Sequence, residues 1–154
     1  MPNKTTTPAR KNSNVWSDEE KAAMRETARE RKRASRRDPA AEREEGERDV
    51  LAQIAEMAPA DRDMAERIHA IVKAAAPMLV PRTWYGLPAY AKEGKVICFF
   101  KAASKYKERY ATFGFDQAAN LEAGTMWPTS WFLTKLTPAD EERIAALVKK
   151  AVKG

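Results

Sequence analysis

The stretch Trp84 to Phe100, WYGLPAYAKEGKVICFF, decides the fold. Gly86, Pro88 and Gly94 punctuate it, and aromatic and β-branched residues fill the intervals, which is the pattern of short strands joined by tight turns. Glu93-Gly94 is a two-residue connection whose glycine accepts the positive φ of a hairpin turn, so Ala89 to Lys92 and Lys95 to Ala102 are expected to pair. Working outward, Thr83 to Tyr85 reads as a strand before this hairpin. Glu108 to Phe115 and Trp127 to Thr134 read as strands after it.

Helical patterns flank the strands. Thr137-Pro138-Ala139-Asp140 offers a capping Thr, a Pro at the first helical position and an acidic third residue, and Ile144, Leu147, Val148, Ala151 and Val152 then recur at three and four residues. On the other side, Val50, Leu51, Ile54, Ala55 and Met57 predict a short amphipathic helix ending before Pro59. A second helix follows Pro59, with Met64, Ile68, Ile71, Val72 and Ala75 on one stripe. Helices, then consecutive strands, then a helix predict an α+β fold: an antiparallel sheet of about five strands covered by helices on one face. The other face is left for function.

Before Val50 the chain has little to bury. Residues 1–15 are polar and Pro-containing, and are expected to be disordered. Ser17-Asp18-Glu19-Glu20 is a capping box, opening a charged helix to about Arg36. Asp38-Pro39 is a second start signal, which Gly46 interrupts. The expected organisation is a tail (1–15), a charged helical extension (16–48) and an α+β domain (49–154), with 154 residues matching about one domain.

The charge lies at one end. Residues 1–37 hold eleven Lys or Arg against five Asp or Glu, which accounts for the whole formal charge of +6. Lys21, Arg25, Arg29, Arg33 and Arg37 recur every four residues and form a basic band, a candidate for phosphates of nucleic acid bound without sequence preference. Glu26 with Arg29, and Glu30 with Arg33, are also spaced to form ordinary surface pairs. No apolar run approaches the roughly 20 residues that span a bilayer. The basic start MPNKTTTPARKNS lacks the apolar segment of a secretory signal, and Cys98 is the only cysteine, so a reducing, cytoplasmic setting without a membrane partner is expected.

No catalytic triad, phosphate loop, zinc pattern or paired-carboxylate motif stands out, and the expectation is a non-enzymatic binding or accessory protein. Its aromatics cannot all enter one small core, because strand alternation sends neighbours to opposite faces. Trp84, Tyr85, Tyr90, Tyr110 and Trp127, with Lys101 and Arg109, are candidates for a ligand or protein-segment groove, rings stacking and cations holding a phosphate or carboxylate. Glu66 and His69 form a Glu-x-x-His pair one helical turn apart, half of a carboxylate di-iron motif, although a His at the edge of an apolar stripe more often sits partly exposed. Cys98, inside VICFF, reads as a buried, inert thiol.

Trp84-Tyr85-Gly86-Leu87-Pro88-Ala89-Tyr90, Glu93-Gly94-Lys95, the strand Val96 to Phe100, and later Gly124-Thr125-Met126 before an aromatic strand and a Thr-Pro capped helix together resemble the YdhG-like domain family over about residues 49–152. The likeness is greatest to a branch with a charged N-terminal helix. It implies a compact, frataxin-like arrangement of helices on a sheet, and, since some members are labelled iron chaperones, iron as a possible cofactor or cargo. It brings no catalytic motif. Several members carry a Lys-x-His segment after the third strand, where this chain reads KAASKYK, Lys101 to Lys107, without histidine.

Overall fold

The computed structural model describes residues 17–36 and 38–153. Four helices and five strands follow one another as α1 (Asp18–Arg36), α2 (Pro39–Ala55), α3 (Pro59–Ala75), β1 (Val80–Trp84), β2 (Leu87–Lys92), β3 (Lys95–Lys101), β4 (Ala111–Phe115), β5 (Ser130–Leu133) and α4 (Pro138–Ala151). The expected tail and Arg37 lie outside the described residues.

The five strands form one sheet in chain order, every neighbouring pair antiparallel. Two hairpins start it. Glu93-Gly94 turns as expected, with φ of 52° and 80°. Tyr85-Gly86 turns in the same way, with φ of 51° and 80°, so a second tight hairpin precedes the expected one and Tyr85 belongs to the turn, not to a strand. β1 also starts earlier than expected, at Val80. Its Pro81, like Pro88 on β2, falls one or three steps from the Trp84–Leu87 pair that closes the turn. Those are non-hydrogen-bonded positions of the β1–β2 ladder, so neither proline removes a hydrogen bond from that pairing.

Strand alternation separates two faces. Thr83, Pro88, Phe100, Phe113 and Trp131 share one row; Pro81, Tyr90, Cys98 and Phe115 share the next on the same side. This face meets Val50, Ile54, Met64, Ile68, Val72, Ile144 and Val148 of α2, α3 and α4 in a single apolar core. Each large side chain buried there contributes roughly 2 kcal/mol. Arg67 ties α3 to α4, bonding the Leu136 carbonyl at 3.3 Å and Glu141 at 2.9 Å.

Both capping boxes read from sequence are formed, Ser17 with Glu20 and Thr137 with Asp140; the hydrogen bonds hold both acids below the usual carboxylate range. Gly46, expected to interrupt a helix, does not. α2 runs unbroken across the boundary placed between residues 48 and 49, capped by Asp38, whose carboxylate accepts from Ala41 N at 2.8 Å. A Cβ at Gly46 would stand 1.9 Å from the Pro81 carbonyl oxygen, so the glycine lets α2 lie directly against edge strand β1. The helix of residues 39–55 is therefore part of the α+β body.

Candidate ligand-binding face

The second face of the sheet carries Arg82, Trp84, Leu87, Ala89, Phe99, Lys101, Thr112 and Phe132 by alternation. Leu87, Ala89, Ala91 and Val96 are buried, yet none belongs to the helix-side core, so this face has a thin apolar layer of its own. Phe99 lies over Gly114 of β4, its ring tip 2.7 Å from where a Cβ would stand, an aromatic covering a bare strand glycine. Trp84 packs on Phe99 with centroids 5.4 Å apart.

The exposed part of this face is a rim built around the first hairpin. Tyr85 holds a left-handed backbone, which costs a bulky residue roughly 1 kcal/mol or more, and its ring is 51% exposed, edge-on to Trp84 at 5.2 Å. The Gly86 carbonyl accepts from Lys105 Nζ and Tyr106 Oη, both at 3.3 Å, pinning the β3–β4 connection to the turn. Buried Asp61 at the start of α3 anchors the same connection, accepting from Ser104 N at 3.0 Å. Lys101 and Lys105 then lie over the Tyr106 ring, at 5.1 and 5.5 Å from its centroid. Arg109 lies over Tyr110 at 5.1 Å, and Tyr110 packs on Phe132 at 5.3 Å. Phe132 is 73% exposed. Lys101 also bonds Glu108 at 2.9 Å. Burial, with the Glu26 and Glu108 carboxylates nearby, pushes the Tyr106 phenol up, so it is a hydroxyl donor at neutral pH.

Of the seven residues expected to line a ligand site, Trp84, Tyr85, Lys101, Arg109 and Tyr110 lie on this face or its rim. Tyr90 does not: it is 1% exposed on the helix side, because an even step from Pro88 puts it on the opposite face. Trp127 sits in the connection before β5, outside the strand rows, since β5 begins only at Ser130. Two rim residues, Tyr106 and Phe132, were not among the seven. Alternation against inward Trp131 was the signal that could have placed Phe132 outward.

α1 lies beside this face. Glu30, whose side chain is 8% exposed, comes within 3.6 Å of Arg82 on β1. Ala23, Glu26, Thr27 and Glu30 are half-buried at helical spacing, whereas Arg25 and Arg29 are exposed. Lys21 is half-buried, Arg33 lies within α1, and Arg37 lies outside the described residues.

His69 is buried, not a partly exposed boundary residue, and its partners are not those expected. Nε2 is 3.3 Å from Glu47 of α2, and Nδ1 is 2.9 Å from the Tyr90 hydroxyl. A carboxylate only accepts, so in the neutral ring Nε2–H donates to Glu47 and Nδ1 accepts from Tyr90. Lys73 donates to the same Glu47 oxygen at 2.6 Å, holding that carboxyl below its usual range. Glu66 is exposed while His69 is buried with both nitrogens engaged, so the Glu-x-x-His pair does not converge. Asp61 is buried, apart from the exposed Asp63 and Glu66 of the same helix. Cys98, across from Tyr90, is buried and free; burial pushes its thiol far up, as it does the Tyr90 phenol, and neither is a nucleophile at neutral pH.

A separate cleft of about 210 Å³ lies between edge strand β5 and α4, lined among others by Trp131, Leu133, Lys135, Arg143 and Leu147. Arg143 lies over the Trp131 ring at 5.6 Å. Among the described residues no helix is long and apolar enough to cross a membrane, and no group of three His, Cys, Asp or Glu is placed to hold a metal ion. Compared with protein-family models, with curated proteins and with solved structures, the chain finds no match.

Proposed function

We propose that this protein is a non-enzymatic binding module whose outer sheet face takes a planar, anionic ligand, an aromatic ring bearing phosphate or carboxylate. The observation that carries the reading is the rim itself: Lys101, Lys105 and Arg109 ride on two tyrosine rings between the exposed rings of Tyr85 and Phe132. Such a surface offers π-faces for stacking and cations for the charge, and its rings are held by hydrogen bonds and packing, so little ordering is needed on binding. The buried, protonated states of Cys98 and Tyr90 support a binding role over nucleophilic catalysis. A cytoplasmic setting fits the single free thiol. The YdhG-like resemblance makes iron a rival ligand, but the engagement of both His69 nitrogens favours the rim.

Titration with nucleoside monophosphates and aromatic carboxylates, followed by calorimetry and ring-proton NMR, tests this. Binding is expected to shift the Tyr85 and Phe132 resonances and to weaken at least tenfold in a Lys105→Ala/Arg109→Ala variant, roughly the loss of two charge-assisted contacts. No binding by any of these compounds, or binding that the double substitution leaves intact, overturns it.

A further inference from the structure

We infer that α1 and the aromatic rim together form one track for single-stranded nucleic acid, bases stacking on Tyr85 and Phe132 and phosphates lying on Arg25, Arg29, Lys105 and Arg109. The inference rests on the planar-anion reading of the rim and extends it from one ring to a run of nucleotides.

Three observations carry it. The first is how α1 sorts its charges. By composition the helix is mixed, with Glu26 and Glu30 next to Arg25 and Arg29. In place, it turns Ala23, Glu26, Thr27 and Glu30 inward, Glu30 to within 3.6 Å of Arg82, and leaves Arg25 and Arg29 exposed one turn apart. Glu26 and Glu30 thus serve the contact with the sheet, and beyond the exposed acidic first turn of Asp18, Glu19 and Glu20 the described charges turned to solvent are Arg25, Arg29 and Arg31. Such segregation is not needed for packing, since a neutral side chain at either arginine would leave the inward stripe unchanged.

The second is continuity. The Glu26 carboxylate is close enough to Tyr106 to raise its phenol. Tyr106 is the ring beneath Lys101 and Lys105, and the next rings along are Tyr110 and Phe132. α1 therefore runs beside the rim, with exposed Arg25 next in sequence to Glu26. Arg25 and Arg29 bring further positive charge to a rim that carries Lys101, Lys105 and Arg109, and clustered cations are where a polyanion gains most from counterion release.

The third is size and shape. The row Trp84, Leu87, Lys101, Thr112, Phe132 crosses all five strands, and although Leu87 within it is buried, exposed Tyr85 and Phe132 stand near its two ends. Four inter-strand gaps make it roughly 19 Å long. That exceeds one nucleotide and suits a short run of them. Rings lying on a sheet reach bases only when these are splayed out of a helix, so a duplex, with its bases stacked inside, fits poorly. A sheet surface with exposed rings and flanking cations is suited to a strand without sequence preference, because every base offers a π-face.

The test uses the full chain and fluorescence anisotropy with a short labelled homopolymeric RNA, the DNA strand of the same length, a duplex of that length, and polyglutamate as competitor, over a range of salt. Both single strands are expected to bind more tightly than the duplex, a difference between them reporting use of the 2′-hydroxyl. Affinity should fall linearly on a log–log plot against salt, and the slope of an Arg25→Gln/Arg29→Gln variant should be shallower by about 1.4, at about 0.7 per phosphate contact of a single strand. Tyr85→Ala and Phe132→Ala should each weaken binding by about fivefold or more at unchanged slope. Circular dichroism of each variant establishes that it is folded. Equal binding of duplex, displacement by polyglutamate as effective as by unlabelled strand, or folded alanine variants that bind normally each overturn the track. Tight mononucleotide binding with no gain on lengthening the strand overturns the track while the rim reading stands; no binding of either overturns both.

Discussion

The two faces of one sheet meet very different fates. Phe113 and Phe132 sit on neighbouring strands, one step out of register, yet Phe113 is sealed against the helices and Phe132 stands in solvent. The polar groups follow the same division. On the helix side Tyr90, His69 and Glu47 satisfy one another, and Asp61 is spent on Ser104. On the outer side the cations lie on ring faces and the rings face water. Alternation assigns a residue to a face, but what covers that face decides whether the residue is structure or site.

The largest way to test this division is a matched pair of truncations. Phe113→Ala should cost about 3–5 kcal/mol, a transfer loss plus a cavity. Phe132→Ala should change stability by no more than about 0.5 kcal/mol. Urea unfolding reads both, and comparable losses would make the outer face a second core and not a site. Gly46→Ala is next. In a solvated helix interior this substitution stabilises by about 1 kcal/mol. Here the new methyl would meet the Pro81 carbonyl, a backbone atom that cannot swing aside, and a loss of about 1–3 kcal/mol is expected. The sign decides: a stabilised Gly46→Ala protein would show that α2 does not lie against β1.

How much of this was legible follows from which forces are local. The caps of α1 and α4, the stripe of α3, the Glu93-Gly94 turn and the α+β class are all written in a few adjacent residues, and all are present. The Tyr85-Gly86 turn was harder because Tyr rarely takes a positive φ, so its propensity argued against the turn the strands impose. Gly46 was misread because its reason lies on another element: a helix glycine looks like a breaker until the strand it must approach is known. His69 shows the same limit. Its neighbour at helical spacing, Glu66, was visible; its real partners, Glu47 and Tyr90, are 22 and 21 residues away. Of the rim, the rings and cations of the hairpin were readable, while the side-chain bonds from Lys105 and Tyr106 to the Gly86 carbonyl were not.

The smallest effect sharpens the comparison from the helix side. Glu47 accepts from Lys73 and from His69, and these bonds hold its carboxyl below 4.5 against the desolvation that would raise it. A carboxyl with a depressed folded-state pKa binds its proton less readily folded than unfolded. Its stabilising contribution is therefore complete above about pH 4.5 and is lost as pH falls through the lower folded value. With Lys73 half-exposed, solvent screens the pair, and the contribution is under about 1 kcal/mol. Glu47→Gln should lower stability slightly at neutral pH and flatten the loss of stability as pH falls below about 4.5, the two unfolding curves converging at the acid end. Rim binding at neutral pH should be unchanged in this variant, because Glu47 serves only the helix side. A Glu47→Gln protein that lost ligand affinity without losing stability would join the two faces into one functional unit and break the division on which the site assignment stands.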